Sequence, residues 1–411
     1  MASLGNLYLG GFEGKKQAQI IFESGVSFFL DKESEINKEI IFNNSVCEVE
    51  VESRNNVIVA RYKYQLSKEK LLEMGLEDCQ KALDLISVVD NKFYRLELPD
   101  LNHIIVSKIN NDFILRYIYC SPLAVEGKIE FKRIDSNGKE ISQPVKPEIK
   151  WNQFFRYFRL SQTSKDLIEA YRSLWLGFEY FLNTQWQKKE NEGERKWLKR
   201  ALCQLNMIIP LKGFVTPVSN NIIDDFFNFQ YEKIRCYLFH SKFQSPTQKT
   251  LDNNELEMAY DQLLRLWKKI AQKFFNLSGS GFAYTFSGFK ALMSKAFNHG
   301  YQFCATEDPT VLSKDETKIS PKNYPIIYTQ VSELVEEVKP GYIQLKGKFK
   351  DYDFQQIKSI HRICNYIPLK SILFSYSYFS QGLNLSGINS FEVSEIIRLI
   401  NKNLPQVKFL Y

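Results

Sequence analysis

Apolar residues in this chain follow two different periods, and the period changes twice along the sequence. Up to about residue 66, stretches such as 19–30 and 56–66 are β-rich in residue type and show patches of period two. Over 151–275 the apolar residues recur three and four positions apart, the spacing of a helix face. Strand-like segments then return. The pattern therefore predicts a helical block between two regions that contain strands.

We predict an α+β multidomain protein with three parts. Residues 1–150 would form a β-rich domain with an inserted helix pair, residues 151–276 a helical bundle, and residues 277–411 a mixed α/β domain that ends in a helix over 390–404. The four bundle helices are expected near 166–182, 194–207, 222–240 and 255–275. Four helices in succession favour a bundle because each can bury its apolar face against the others.

Charge and cysteine usage narrow the class of protein. The net charge of +7 permits a polyanionic partner without requiring one. The seven cysteines are scattered and form no C-x-x-C pair, so neither a zinc site nor a disulfide framework is predicted. A reducing, cytoplasmic location follows from this usage.

Targeting and cofactor signatures are missing from the sequence. The first residues lack the pattern of a signal peptide, and no apolar run approaches the roughly 18 residues that a membrane helix needs. Neither a P-loop motif nor an H-E-x-x-H motif occurs. We therefore predict no cofactor, no metal and no membrane partner.

The stretch KIRCYLFHSK, residues 233–242, is the one candidate for chemistry. It places Arg235 and His240, one of only four histidines, near the end of a predicted amphipathic helix. Histidine moves protons near neutral pH, and arginine clamps a phosphate and stabilises transition-state charge. Because RNA carries its own nucleophile, the 2′-hydroxyl, this pair suits RNA cleavage without a metal.

The geometry leaves an alternative open. Five residues turn an ideal helix by about 140°, so Arg235 and His240 do not share a face, although two copies meeting about a two-fold axis bring such residues together more easily. In the alternative, Arg235 caps the helix or forms a salt bridge, and His240 ends the helix near its negative dipole.

The helical region resembles the HEPN domain. The stretch FRYFRLSQTSKDLIEAYRSLWLGFEYFLN, residues 155–183, and the R-x-x-x-x-H motif in 233–242 together are similar to the HEPN region of bacterial MauJ-like proteins, which are associated with methylamine utilisation. The resemblance covers most of the chain and is strongest over 151–297. It implies a HEPN-type four-helix bundle that dimerises and, in active members, a metal-independent endoribonuclease, often a toxin of a toxin–antitoxin pair or an antiviral defence effector.

The resemblance also implies residue roles. Arg235 and His240 take the catalytic positions, and Glu179 takes the position of a supporting acid, with Arg172 as a possible ion-pair partner. One departure is Cys236, because active members commonly have Asn, Asp or His directly after the arginine and a thiol is a poor hydrogen-bonding substitute. This departure keeps a non-catalytic RNA-binding or nucleotide-binding scaffold open as an alternative.

Cations gather on and beside the second predicted helix. They comprise Lys188, Lys189, Arg195, Lys196, Lys199 and Arg200. Trp186 and Trp197 lie nearby, and cations interleaved with aromatic residues are typical of RNA-binding surfaces. An ordinary solvated helix face has the same composition. We predict RNA contacts at Lys196, Lys199, Arg200 and Lys242. The predicted partners are RNA and a second copy of the chain, with a regulatory protein as a further candidate.

Overall fold

The structure is a computed structural model that describes most of the chain. The described residues are 2–10, 22–42, 46–125, 133–134, 136, 138, 140–141, 150–216, 219–239, 253–277, 285–298, 300–313, 316, 318–339, 341–350, 356–368 and 372–401. The chain divides into two compact units. Residues 1–125 and 284–402 form most of the first, and residues 126–283 form most of the second.

One 14-stranded sheet dominates the first unit. Its strands are β1 (Ala2–Leu4), β2 (Leu7–Gly10), β3 (Ser24–Phe29), β4 (Lys38–Phe42), β5 (Cys47–Val51), β6 (Val57–Tyr62), β7 (His103–Ile109), β8 (Asp112–Val125), β11 (Gln302–Thr306), β12 (Ile326–Lys339), β13 (Tyr342–Phe349), β14 (Ile360–Ile367), β15 (Ile372–Leu385) and β16 (Ser390–Asn401). They lie in the order β2-β1-β15-β14-β11-β12-β13-β16-β8-β7-β3-β6-β5-β4. The strands β11 to β16 from the C-terminal part of the chain therefore lie between two groups of N-terminal strands in one sheet.

Two pairings join the two ends of the chain. Strand β16 lies parallel to β8, with Val393 opposite Tyr117, and β1 pairs antiparallel with β15. One apolar core accordingly includes Leu115 from the first part of the sequence and Ile343 from the last. The prediction of a β-rich N-terminal domain and a separate mixed α/β C-terminal domain is therefore wrong, because each half supplies hydrogen-bonding edges that the other half completes.

Two predicted helices of this unit are also corrected. In place of the inserted helix pair, the described residues between β6 and β7 form the single helix α1 (Lys68–Val89), which begins at the N-cap Ser67. The predicted C-terminal helix over 390–404 is instead strand β16. Its β-branched residues Val393, Ile396 and Ile397 are buried, and the strand satisfies its backbone bonds with β13 and β8.

The second unit is mainly helical. It contains α2 (Gln153–Thr163), α3 (Leu167–Gln185), α4 (Glu194–Ile208), a 3₁₀ turn (Leu211–Gly213), α5 (Ile222–Phe226), a π-helical segment (Phe227–Arg235), α6 (Cys236–Phe239) and α7 (Asn253–Phe274). A short hairpin, β9 (Arg133–Ile134) with β10 (Glu140–Ile141), precedes them in the chain. Helix α8 (Phe286–Phe297) belongs to the first unit.

The prediction of a four-helix bundle is wrong. Helix α2 is an additional element with its own N-cap, Asn152, and Phe154 and Phe158 on it stack on the ring of Trp267. The predicted third helix changes its hydrogen-bonding register in the π-helical segment, so it does not present one regular apolar face. The apolar faces of the four predicted helices indicated a regular bundle, and the extra helix and the change of register prevent that regular packing.

Among the described helices, none combines the length and the apolar character needed to cross a membrane.

Candidate functional site

The structure brings Glu179 and Arg235 together, although 55 residues lie between them in the sequence. Glu179 lies on α3, and Arg235 is the last residue of the π-helical segment. Arg235 Nη2 lies 3.4 Å from Glu179 Oε1, and the two side chains are only 16% and 17% exposed. This largely buried ion pair is the centre of the candidate site.

Local sequence explains the position of Glu179. Helix α3 begins at the N-cap Asp166, whose carboxylate accepts the Glu169 amide at 2.9 Å. The apolar stripe of α3 buries Trp175 and Phe178 in the helical core, and Glu179 follows directly on the same side. The carboxylate therefore faces the interior of the unit instead of solvent.

The π-helical segment sets the direction of Arg235. The Cys236 amide donates to the carbonyl of Tyr231, five residues earlier, while the backbone dihedral angles stay right-handed and helical. Gln230 in this segment is fully buried, and its amide nitrogen donates to Ala259 O and Gln262 Oε1, both at 3.1 Å. The segment is thus held to α7 by buried hydrogen bonds.

Helix α3 is tied to the same segment. The Tyr171 hydroxyl donates to the carbonyl of Gln230 at 2.9 Å and lies 3.2 Å from its side-chain oxygen. Burial raises the pKa of the Tyr171 phenol well above its ordinary value, so the hydroxyl keeps its proton and acts as the donor. The bond fixes α3 relative to the π-helical segment, one turn before Arg235.

Two aromatic rings flank the Arg235 guanidinium. It lies 5.2 Å from the ring centroid of Tyr231 and 5.0 Å from that of Phe239. Phe239 also lies 5.4 Å from the guanidinium of Arg172, which donates to the Leu238 carbonyl at 2.6 Å. Two guanidinium groups therefore converge on the last described turn before residue 240, where a cation also satisfies a helix-terminal carbonyl.

Burial dominates the electrostatics of Glu179. It raises the pKa of this carboxyl, while the nearby indole N–H of Trp175 and the positive charge of Arg235 oppose the rise. The Arg235–Glu179 distance of 3.4 Å exceeds that of a tight charge-assisted hydrogen bond, about 2.7–2.9 Å. The carboxylate orients the guanidinium without clamping it bidentately.

Two of the predicted residues cannot be placed in this geometry. His240 and Lys242 lie outside the described residues, which stop at Phe239 and resume at 253. Arg172, predicted as a partner of Glu179, instead pairs with Glu169 at 2.8 Å.

The cations of α4 are mostly engaged with carboxylates. Lys199 pairs with Asp224 and Arg200 with Glu192, each at 2.7 Å. Arg200 lowers the pKa of Glu192 to about 2. Lys196 is exposed and forms no ion pair with a carboxylate of the described residues. Of the three, Lys196 is the best placed to contact a phosphate without first releasing a carboxylate.

The two tryptophans near these cations pack inward. Trp197 is buried, and its indole nitrogen donates to Trp186 O at 2.8 Å, while Trp186 packs against the helical core. The ring of Phe227 instead makes the cation–π contacts, with Lys199 at 4.7 Å and Arg195 at 5.8 Å from its centroid. Base stacking on Trp197 is thus blocked by its burial.

Sequence reasoning missed Tyr231, Phe239 and the role of Arg172 at the helix end. A signal for each was present, because Tyr231 and Phe239 lie four residues before and after Arg235, and Glu169 lies three residues before Arg172. The Gln230 network carried no such signal, because its partners come from distant parts of the chain.

Within the described part of the chain, no group of three or more His, Cys, Asp or Glu side chains is arranged to hold a metal ion. In comparisons with known proteins, no family model, no curated protein and no solved structure matches this chain significantly. The resemblance to HEPN and MauJ-like proteins therefore stays a prediction from the sequence.

Proposed function

We propose that this protein is an endoribonuclease of the HEPN kind that cleaves RNA without a metal, with Arg235, His240 and Glu179 at its site. The observation that carries the proposal is the buried Glu179–Arg235 pair, which unites two of the three residues singled out by the resemblance.

In the proposed reaction the 2′-hydroxyl of RNA attacks the adjacent phosphorus, and the 5′-oxygen of the next nucleotide leaves. His240 takes the proton from the nucleophile or supplies one to the leaving oxygen. Arg235 stabilises the charge that develops on the phosphoryl oxygens, and Glu179 orients the guanidinium. The products carry 2′,3′-cyclic phosphate and 5′-hydroxyl ends, so atoms balance without a further reactant.

Two copies would complete the site, each supplying its Arg235 and His240 to a shared cleft at a two-fold axis. The proposed substrates are tRNA or other cellular or invading RNA, met in the cytoplasm. A nuclease of this kind would act as a toxin or a defence effector and would require a regulatory protein partner to restrain it.

A second candidate function is RNA or nucleotide binding without cleavage. It is supported by Cys236, which follows the motif arginine and is partly buried against the helical core. In this scaffold function Arg235 retains a phosphate but no proton transfer follows.

The deciding experiment is cleavage of labelled total tRNA and a structured RNA in EDTA by the wild type, His240→Ala and Arg235→Ala. Arg265→Ala is a matched control, because Arg265 is exposed and pairs with Asp261 on its own helix. We expect cyclic-phosphate ends from the wild type and the control, and no cleavage by the two site variants.

Full cleavage by both site variants would overturn the nuclease proposal. RNA retained in a gel shift, with no cleavage by any of the four proteins, would support the scaffold function. In cells, the nuclease proposal predicts that expression of the wild type arrests growth and that combining Arg235→Ala with His240→Ala relieves the arrest. The scaffold function predicts that expression of the wild type and of this double variant is equally harmless.

A further inference from the structure

A cavity in the sheet unit, remote in sequence from Arg235, is lined by cations. Its volume is about 660 Å³, within the range of small-molecule sites. Lys68 at the start of α1, Lys108 at the end of β7 and Arg116 in β8 line it. Three positive side chains from three elements therefore converge on one hollow.

The charges around this cavity are only partly compensated. Arg116 pairs with Glu392 at 2.7 Å, and Lys108 lies 3.3 Å from Glu23. Lys68 forms no ion pair with a carboxylate anywhere in the described chain. Lys68 is itself exposed, and the partial desolvation of its ammonium, followed by the positive charge of Arg116, lowers its pKa. The cavity thus carries an excess positive charge that an anion would relieve.

Hydrogen-bond donors complete the lining. Ser107, which is 5% exposed, accepts a bond from Arg116 Nη1 at 3.0 Å, so its own O–H remains to donate. The first intrahelical bond of α1 runs from Leu71 N to Ser67 O, which leaves the amide of Lys68 outside the helical ladder. The positive end of this 22-residue helix adds to the potential of the cations.

The lining also has an apolar part. Leu66 and Ile109 lie beside the cationic side chains. A bare oxyanion needs only the donors and would leave most of the volume to solvent. A molecule with a phosphate at one end and an organic group at the other uses both parts of the lining.

We propose that this cavity binds a small organic phosphate ester, with its phosphate at Lys68, Arg116 and Ser107. The proposal is independent of the ribonuclease proposal, because it uses none of the residues of that site. It assigns the sheet unit a ligand.

The test is calorimetric titration of the full-length protein with adenosine monophosphate and, separately, with inorganic phosphate. We expect saturable binding at one site per chain, tighter for the nucleotide. Lys68→Gln should weaken nucleotide binding at least tenfold. Lys70→Gln is the control, because Lys70 is exposed in the same helical turn but does not line the cavity.

Absence of saturable binding, or equal loss of affinity in Lys68→Gln and Lys70→Gln, would overturn the site. Nucleotide binding no tighter than that of inorganic phosphate would overturn the assignment to a phosphate ester. A single-stranded RNA with hydroxyl ends that competes as well as the nucleotide would assign the cavity to an RNA backbone and likewise overturn the small-molecule ligand. Far-UV circular dichroism checks that both variants fold.

Discussion

Arg235 lies between the rings of Tyr231 and Phe239 and beside the carboxylate of Glu179. The rings hold a flat guanidinium by cation–π contact and limit its rotation. A lysine at this position would keep the charge but lose the planar fork that binds a phosphate through two oxygens. The surroundings thus select arginine over any other cation.

Arg235→Lys should therefore lower RNA cleavage by about 10²–10³-fold, the usual effect of losing one donor that stabilises transition-state charge. Single-turnover cleavage in EDTA measures this loss, with Arg265→Lys as the control. A rate within threefold of the wild type would show that charge alone suffices at this position.

Glu395 is a second residue whose surroundings determine its chemistry. It is fully buried in the sheet unit, and Asn365 donates to its Oε2 at 2.7 Å. Burial raises the pKa of Glu395, while the nearby Ser375 hydroxyl and the hydrogen bond from Asn365 oppose the rise. The folded protein therefore holds this proton more tightly than the unfolded chain does.

It follows that the free energy of unfolding should fall as the pH rises from the ordinary glutamate range, about 4.3–4.5, through the raised pKa. Glu395→Gln should flatten this decline, because the amide does not ionise. Hydrogen exchange of peptides from β16 at pH 5 and pH 8 measures this change in stability. Glu73→Gln is the control, because Glu73 is exposed. An unchanged pH dependence in Glu395→Gln would contradict the argument.

At the scale of elements, the π-helical segment is held by side chains that it buries. Gln230 donates two hydrogen bonds toward α7, and the carbonyl of the same residue accepts the Tyr171 hydroxyl from α3. A wider helical turn carries an extra residue and leaves local hydrogen bonding less regular, so it persists where tertiary contacts compensate. The segment therefore depends on its neighbours more than an ordinary helix does.

Gln230→Leu should destabilise the helical unit by about 1–3 kcal/mol, because it leaves Ala259 O and Gln262 Oε1 buried without this donor. The protein's five tryptophans all lie between residues 151 and 267, so their fluorescence during urea unfolding reports on this unit alone. The exposed Gln272→Leu should change little. Equal stability of the two variants would argue against the network.

At the scale of the whole molecule, the sheet unit is built from both ends of the chain. Strands β8 and β1 obtain partners from β16 and β15, which follow the helical unit in the sequence. A strand without its partner exposes unpaired backbone groups and templates aggregation. The N-terminal strands therefore need the C-terminal strands before they are complete.

A chain that ends at residue 276, at the domain boundary suggested by hydrophobic periodicity, should consequently aggregate. Co-expression of residues 277–411 should restore soluble material with strand content in far-UV circular dichroism. Light scattering and sedimentation measure both outcomes. A soluble, monomeric 1–276 fragment with strand signal would contradict the shared sheet.

The sequence alone determined the local features of this protein. Helices α3, α4 and α7 were predictable because their apolar residues repeat at helical spacing. The candidate residues Arg235 and Glu179 were also found in the sequence, through a motif and a resemblance. These signals depend on neighbours within about one helical turn.

Only the tertiary structure decided how distant segments combine. Strand β16 reads as a helix by spacing, because several of its apolar residues are also three and four positions apart, and its pairing with β13 and β8 makes it a strand. Tertiary packing also brings Glu179 to Arg235, and it gathers the cations around Lys68. Such contacts join residues tens to hundreds of positions apart, and no local propensity encodes them.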